Sequence, residues 1–200
     1  VRGVLATYAC HCVTLSDNKV SGDWAGFAME AIERDWPGAT ALLTIGCGAD
    51  QNPASGVVGD RVDVAREQGA SIAQEVSRLL RSPLAPIAGP LTASLERLPL
   101  PLAPLPTRDE WRRRAAGQDA IAYHARVQLE RLDRGESLAN RIDYSVQTFA
   151  FGKSLAMAFL PGEVVVDYST RLKRELDGRR LWVHGYSNAA PGYVPSERIL

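Results

Sequence analysis

Three short polar motifs hold the side chains with the most chemical reach, and each follows an apolar, strand-like run. They are Tyr8-Ala9-Cys10-His11, Leu160-Pro161-Gly162-Glu163 and Pro191-Gly192-Tyr193-Val194-Pro195-Ser196. An imidazole, a carboxylate and a phenol can each give a nitrogen or oxygen to a divalent metal, so His11, Glu163 and Tyr193 would together make most of a zinc site. Their separation along the chain is no obstacle, because α/β proteins gather functional groups from the C-terminal ends of different strands. Taken singly, each also has a plain structural reading: a satisfied histidine at a strand end, an acidic residue in the first turn of a helix, a tyrosine packed in a proline-flanked loop. His124, in the middle of a helical stretch, and His184, on a strand without polar company, read as structural.

The elements that must position these residues follow from periodicity. Residues 3–15 are apolar and β-branched enough for a strand. Gly22 to Trp36 reads as a helix, with Trp24, Phe27, Ala28, Ala31 and Ile32 recurring at three- and four-residue steps, and Pro37-Gly38 stops it. Thr40 to Ile45 is a continuous apolar run of the kind buried on both faces of a sheet, closing in the Gly-rich turn Gly46 to Asn52. A second helix is expected from Val57 or Asp60 to Leu80, with Val64, Ile72, Val76 and Leu79 inward. Residues 82–106 carry most of the prolines, and Leu91 to Leu98 fits an edge strand, where proline is tolerated. Thr107 and Glu110 form a capping box opening one helix to residue 116; another spans 118–134 and ends at Gly135. Asp143 to Phe151, a turn at Gly152-Lys153 and Leu155 to Leu160 read as a hairpin. Gly162 to Leu176 then reads as a helix, Leu181 to Tyr186 as a last strand, and Ser187 to Ser196 as a loop. The fold class is α/β: a mixed β-sheet flanked by helices, in one domain of residues 1–200, with a Pro-rich and helical insertion or lobe over 82–135.

Bulk properties narrow the function. The 200 residues carry 23 basic and 23 acidic side chains, and no basic stripe interleaved with aromatics marks a nucleic-acid surface. Arg112, Arg113 and Arg114 read as a solvated helix face. No apolar run reaches the roughly 18 residues of a membrane span. The opening on an apparent strand, without a leading Met, suggests a piece whose upstream part is absent. Three cysteines, Cys10, Cys12 and Cys47, make no disulfide framework and no Cys-x-x-Cys pair, so they read as small buried hydrophobes.

Four segments taken together, Tyr8 to His11 with Ser21-Gly22-Asp23, Gly46 to Pro53, Phe159 to Glu163 and Trp182 to Ser196, resemble the neutral/alkaline, non-lysosomal ceramidase family. The resemblance covers nearly all of the chain as the later part of that family's N-terminal catalytic domain. Members show a His-Pro-Thr segment followed by Ser-Gly/Ala-Asp, a Gly-Asp-x-Ser-Pro-Asn loop, a Pro-Gly-Glu strand end and a late tyrosine loop, set around one catalytic zinc. The resemblance therefore implies Zn2+ as cofactor and His11, Glu163 and Tyr193 as ligands. It implies a further ligand histidine from a segment upstream of Val1, and a secreted, periplasmic or cell-surface location.

Two positions depart from the family pattern. Cys12 stands where the family has proline, and the loop Gly48-Ala49-Asp50-Gln51-Asn52-Pro53 has Asn52 or Gln51, by either alignment, where the family has its serine. Neither amide is a nucleophile. The expected reaction is hydrolysis of an amide bond in an N-acyl lipid or related small molecule by water that zinc activates, since zinc lowers the pKa of bound water to about 7 and polarises a carbonyl. Asn52 or Gln51 would donate to the developing oxyanion, and Asp50 or Asp23 would orient His11 through its second ring nitrogen. Tyr193 is expected to be a weak or displaceable ligand. Contact with a membrane surface would come through the substrate. The alternative is a catalytically degenerate, ceramidase-like binding protein on the same scaffold. No Gly-x-Ser-x-Gly elbow, phosphate-binding loop or dinucleotide fingerprint offers another chemistry.

Overall fold

The first apolar run leaves its ladder earlier than its composition suggests. In the computed structural model, which describes residues 1–200, strand β1 covers only Gly3–Tyr8. Beyond Tyr8 the backbone turns toward the loop after the next strand, and the His11 N–H donates to the Gln51 carbonyl at 2.9 Å. Helix α1 (Asp23–Asp35) then carries the chain back to strand β2 (Thr40–Ile45), which lies parallel to β1 with Gly3 beside Thr40 and Tyr8 beside Ile45. Helix α2 (Val62–Leu80) follows. Both helices pack on the face that carries Val4 and Ala41, forming a core with Ala31, Ile32, Ala73 and Val76. The opposite face is therefore open, and Leu42 is 60% exposed rather than buried on both sides.

The stripe that α2 buries is Ala65, Gly69, Ala73, Val76 and Ser77, rotated from the expected Val64, Ile72, Val76 and Leu79; Leu79 is exposed. Small residues win because α1 comes very close. A Cβ built on Gly69 would stand 2.7 Å from the Ala28 nitrogen and 2.7 Å from the Trp24 carbonyl oxygen, both backbone atoms that cannot swing aside.

The remaining elements are strand β3 (Leu91–Pro101), helices α3 (Arg108–Ala115) and α4 (Ala120–Asp133), strands β4 (Arg141–Phe151), β5 (Leu155–Phe159) and β6 (Glu163–Val164), helix α5 (Val166–Glu175), and strands β7 (Leu181–His184) and β8 (Tyr193–Val194). The second sheet has the order β3-β4-β5-β7, with β3 at the edge as its prolines require. β4 and β5 form the expected antiparallel hairpin, turning at Gly152 with φ 53°, and β5 pairs parallel with β7. A bridge between Gly46 and His184, with the Gly185 N–H donating to the Ile45 carbonyl at 3.1 Å, joins the end of β2 to the end of β7. The class is thus mixed α/β, as expected.

Two expectations for the last third need correction. Glu163 is not in the first turn of a helix: Glu163 and Val164 form β6, and α5 starts only at Val166. Tyr193 is not in a loop but begins β8, parallel to β6. Val164 and Val165 are β-branched and almost wholly buried, which favours the extended backbone there over a helical turn.

The chain divides into two compact units, Val1–Glu96 with Ser145–Leu200, and Arg97–Tyr144. The second unit starts and ends later than the expected 82–135: residues up to Glu96 belong to the first unit, where Ser154 Oγ donates to the Ala88 carbonyl at 2.8 Å. Within the second unit the Thr107 side chain accepts from the Glu110 N–H and Asp119 accepts from the Ala122 N–H, capping α3 and α4. Arg112, Arg113 and Arg114 pair with Asp109 and Glu110 on an exposed helix face. Because the α1–α2 contact leaves no room at Gly69, a Gly69→Val substitution is expected to cost about 1–3 kcal/mol. Chemical denaturation of the full chain checks this; unchanged stability would mean that the two helices are not held this close.

Candidate metal centre

The motif residues meet because four strands of the first unit end side by side. His11 follows β1, the loop with Ala49 follows β2, Glu163 follows β5, and Tyr186 follows β7. Backbone hydrogen bonds tie these ends together. The Ala49 N–H donates to the Val164 carbonyl at 3.2 Å, the Glu163 N–H to Gly192 at 2.9 Å, and the Tyr186 N–H to Gly162 at 2.8 Å. Glycine is needed at the closest crossings. A Cβ on Gly48 would lie 2.8 Å from the Cys10 nitrogen, and one on Gly162, already at φ 76°, would lie 2.6 Å from the Gly192 carbonyl oxygen.

The result brings His11, Glu163 and Tyr193 together. His11 Nε2 lies 3.8 Å from Glu163 Oε2, and the His11 and Tyr193 ring centres are 6.4 Å apart. Register places Tyr193 directly beside Glu163, and the hydrogen bond between their side chains holds the phenol's pKa above its ordinary value, with burial and the carboxylate's charge adding to the effect. The site is open on the tyrosine side, where Tyr193 is 63% exposed, while His11 and Glu163 are mostly enclosed.

Sequence reasoning missed a fourth member. Tyr186 places its hydroxyl 3.2 Å from His11 Nδ1 and 3.5 Å from Nε2, with the two rings edge to face. Its φ is 54°, a left-handed backbone that a bulky residue rarely adopts. Burial, and then the charge of Glu163, push its phenol far above the ordinary value, so it stays protonated. The only signal in the sequence was a tyrosine directly after a strand, where the alternating pattern simply ran on.

The carboxylates expected to orient His11 are engaged elsewhere. Asp23 accepts from the Leu15 N–H at 2.8 Å and the Trp24 N–H at 2.7 Å, organising the start of α1. Asp50 accepts from the Val166 N–H at 2.8 Å, fixing the first turn of α5, and pairs with Arg198 at 3.1 Å. The ring of His11 therefore meets a hydroxyl and not a carboxylate. Gln51 contributes its carbonyl to the His11 N–H and its side chain to Asp50, while Asn52 is exposed on the same loop. His184 has polar company after all: Nδ1 lies 3.0 Å from Thr44 Oγ1, the ring stacks on Phe159, and burial lowers its pKa. All three cysteines are free thiols. Cys10 and Cys47 are buried as expected, but Cys12 is exposed. Burial holds the Cys47 thiol up at about 11, so it is not a ready thiolate.

Do these donors fit zinc? Ligand atoms about 2.0–2.1 Å from a tetrahedral ion stand about 3.4 Å apart. The 3.8 Å between Nε2 and Oε2 is too long for a hydrogen bond and within a small closure of that spacing. The imidazole and the carboxylate are donor types that zinc takes. No group of three or more His, Cys, Asp or Glu side chains is gathered to hold a metal. No family model matches the chain, and no curated protein matches it.

The Asp50 contacts yield a test. Desolvation works against its charged form, but hydrogen bonds from Val166, Gln51 and Arg198 outweigh it and hold the carboxyl below its ordinary 3.8. A group with a depressed folded pKa stabilises fully above the unfolded value and loses that contribution as pH falls through the folded one. Asp50→Ala is expected to cost about 1 kcal/mol at neutral pH, with the gap to the wild type closing in acid. Melting curves across that range check it; a gap that persists at low pH would deny the carboxylate this role.

Proposed function

We propose that this chain is part of a zinc-dependent amide hydrolase of the neutral/alkaline ceramidase kind, acting on an N-acyl lipid or a related amide. The observation that carries the reading is the meeting of His11, Glu163 and Tyr193 at one point from three separate strand ends. These are the residues that the family resemblance implies as ligands.

His11 Nε2 and Glu163 Oε2 would hold the ion, and Tyr193 would be a weaker, displaceable donor on the exposed side. Bound there, zinc supplies a Lewis acid for the scissile carbonyl and an acidic water. The chain's own residues set up the rest. β6 and β8 fix Glu163 beside Tyr193, and the loop 48–51 grips the backbone and ring of His11. Asn52 is the candidate donor to an oxyanion, a role worth roughly a hundred- to thousand-fold in rate. The resemblance adds a further ligand histidine from an upstream segment. It also suggests an exported protein that meets lipid through its substrate; no helix of the chain is long and apolar enough to cross a membrane.

Metal analysis of protein purified without added zinc tests the reading. About one zinc per chain is expected, lost in His11→Ala and in Glu163→Ala, together with hydrolysis of a chromogenic N-acyl amide. Tyr193→Phe should keep the zinc with reduced affinity. Wild-type protein that takes up no zinc even after soaking would sink the proposal and bring the binding-protein reading forward.

A further inference from the structure

Strand β1 has a neighbour on one side only, β2. In that parallel pair the Thr40 N–H donates to the Arg2 carbonyl and the Gly46 N–H to the Tyr8 carbonyl, both at 3.1 Å, so the even-numbered residues turn their backbone groups toward β2. The N–H and C=O groups of Gly3, Leu5 and Thr7 point the other way, and all three residues are exposed. Natural sheets blunt such an edge with proline, charge or a bulge. β3, the edge of the second sheet, carries Glu96, Arg97, Pro99 and Pro101. β1 has neither a charged residue nor a proline.

An apolar groove of about 490 Å3 runs beside this bare edge. β1 forms one wall, Ile72, Val76, Leu79 and Leu80 of α2 form the other, and Leu84 and Trp182 complete it. Glu75 is the one charged residue of the lining, and Arg78 pairs with it. Leu5 and Leu79 are each 42% exposed and Leu84 is 60% exposed, so large aliphatic side chains stand open on both sides of the unpaired backbone.

These two features select the occupant. A lipid chain would fill the groove but leave the backbone groups of β1 bare. An extended polypeptide repeats its donors and acceptors every second residue, about 7 Å, which is the spacing of Gly3, Leu5 and Thr7. A second copy of β1, paired antiparallel about a two-fold axis normal to the sheet, would bring its own α2 into the space that α2 already occupies. We propose that the free edge of β1 is a docking site for an extended strand of a partner polypeptide, about six residues long and apolar on both faces, which pairs with Gly3, Leu5 and Thr7 under the apolar side of α2. This inference is independent of the zinc reading.

A fluorescein-labelled peptide, Lys-Lys-Val-Ile-Val-Thr-Val-Lys-Lys, titrated into the full chain tests it by fluorescence anisotropy. Saturable binding is expected, with the Leu5 and Thr7 amides protected from hydrogen exchange in the complex. Leu5→Pro removes an N–H that β2 does not use, and proline is tolerated on a free edge. It should keep the melting temperature and bind the peptide about tenfold more weakly or worse. Leu79→Lys, which leaves the strand untouched, should weaken binding similarly. The same peptide N-methylated throughout its core should not bind. Absence of saturable binding by the wild type would overturn the proposal, as would equal binding of the N-methylated peptide or wild-type affinity in both folded variants. A wild-type dimer in sedimentation that protects the same amides would give the edge to a second copy and overturn it too.

Discussion

Two residues of β6 lie parallel to two residues of β8, and the candidate site hangs on that short pairing. It sets Glu163 beside Tyr193 by register, and it exists only because the chain at Gly162 can approach the Gly192 carbonyl more closely than any Cβ would allow. So small a ladder has little stability of its own. It is held from outside by the buried Val164 and Val165, by the Ala49 N–H on the Val164 carbonyl, and by the Tyr186 N–H on Gly162. Backbone contacts of this kind are insensitive to the side chains around them, which makes the position of the carboxylate and the phenol a property of the fold.

A second layer of polar contacts supports the first. Asp50 joins the loop that grips His11 to the first turn of α5, and Arg198 joins Asp50 to Asp167. Arg198 is well exposed, and exposed ion pairs are each worth little; their effect here is geometric, holding the segment after β8 against the start of α5, where Tyr168 also donates to the Pro195 carbonyl at 3.1 Å. Asp50 is thus better understood as an organiser of the site than as a group acting on a substrate.

The open and closed sides of the site have a chemical consequence. His11 and Glu163 are largely shielded from water while Tyr193 is exposed, so an ion held by the first two would meet a substrate from the tyrosine side. The same enclosure strengthens the hydrogen bonds around His11.

The sequence by itself determined a good part of this. Apolar spacing in Trp24, Ala28, Ala31 and Ile32 placed α1, the Thr107 and Asp119 caps and Gly135 bounded the two helices of the inserted unit, and Gly152 turned the hairpin, because these signals act over a few residues. Motif also singled out His11, Glu163 and Tyr193. Only the tertiary structure decided what surrounds them. Glu163 left the expected helix because its partner strand lies thirty residues further on, and no local period records a ladder between distant segments. The inward face of α2 shifted to Gly69 and Ala73 because α1 is so close. Tyr186 continued the pattern of a strand in sequence, yet a left-handed backbone turned it onto His11. Which side chains meet is fixed by the convergence of four strand ends, and that is a property of three-dimensional packing that spacing along the chain cannot carry.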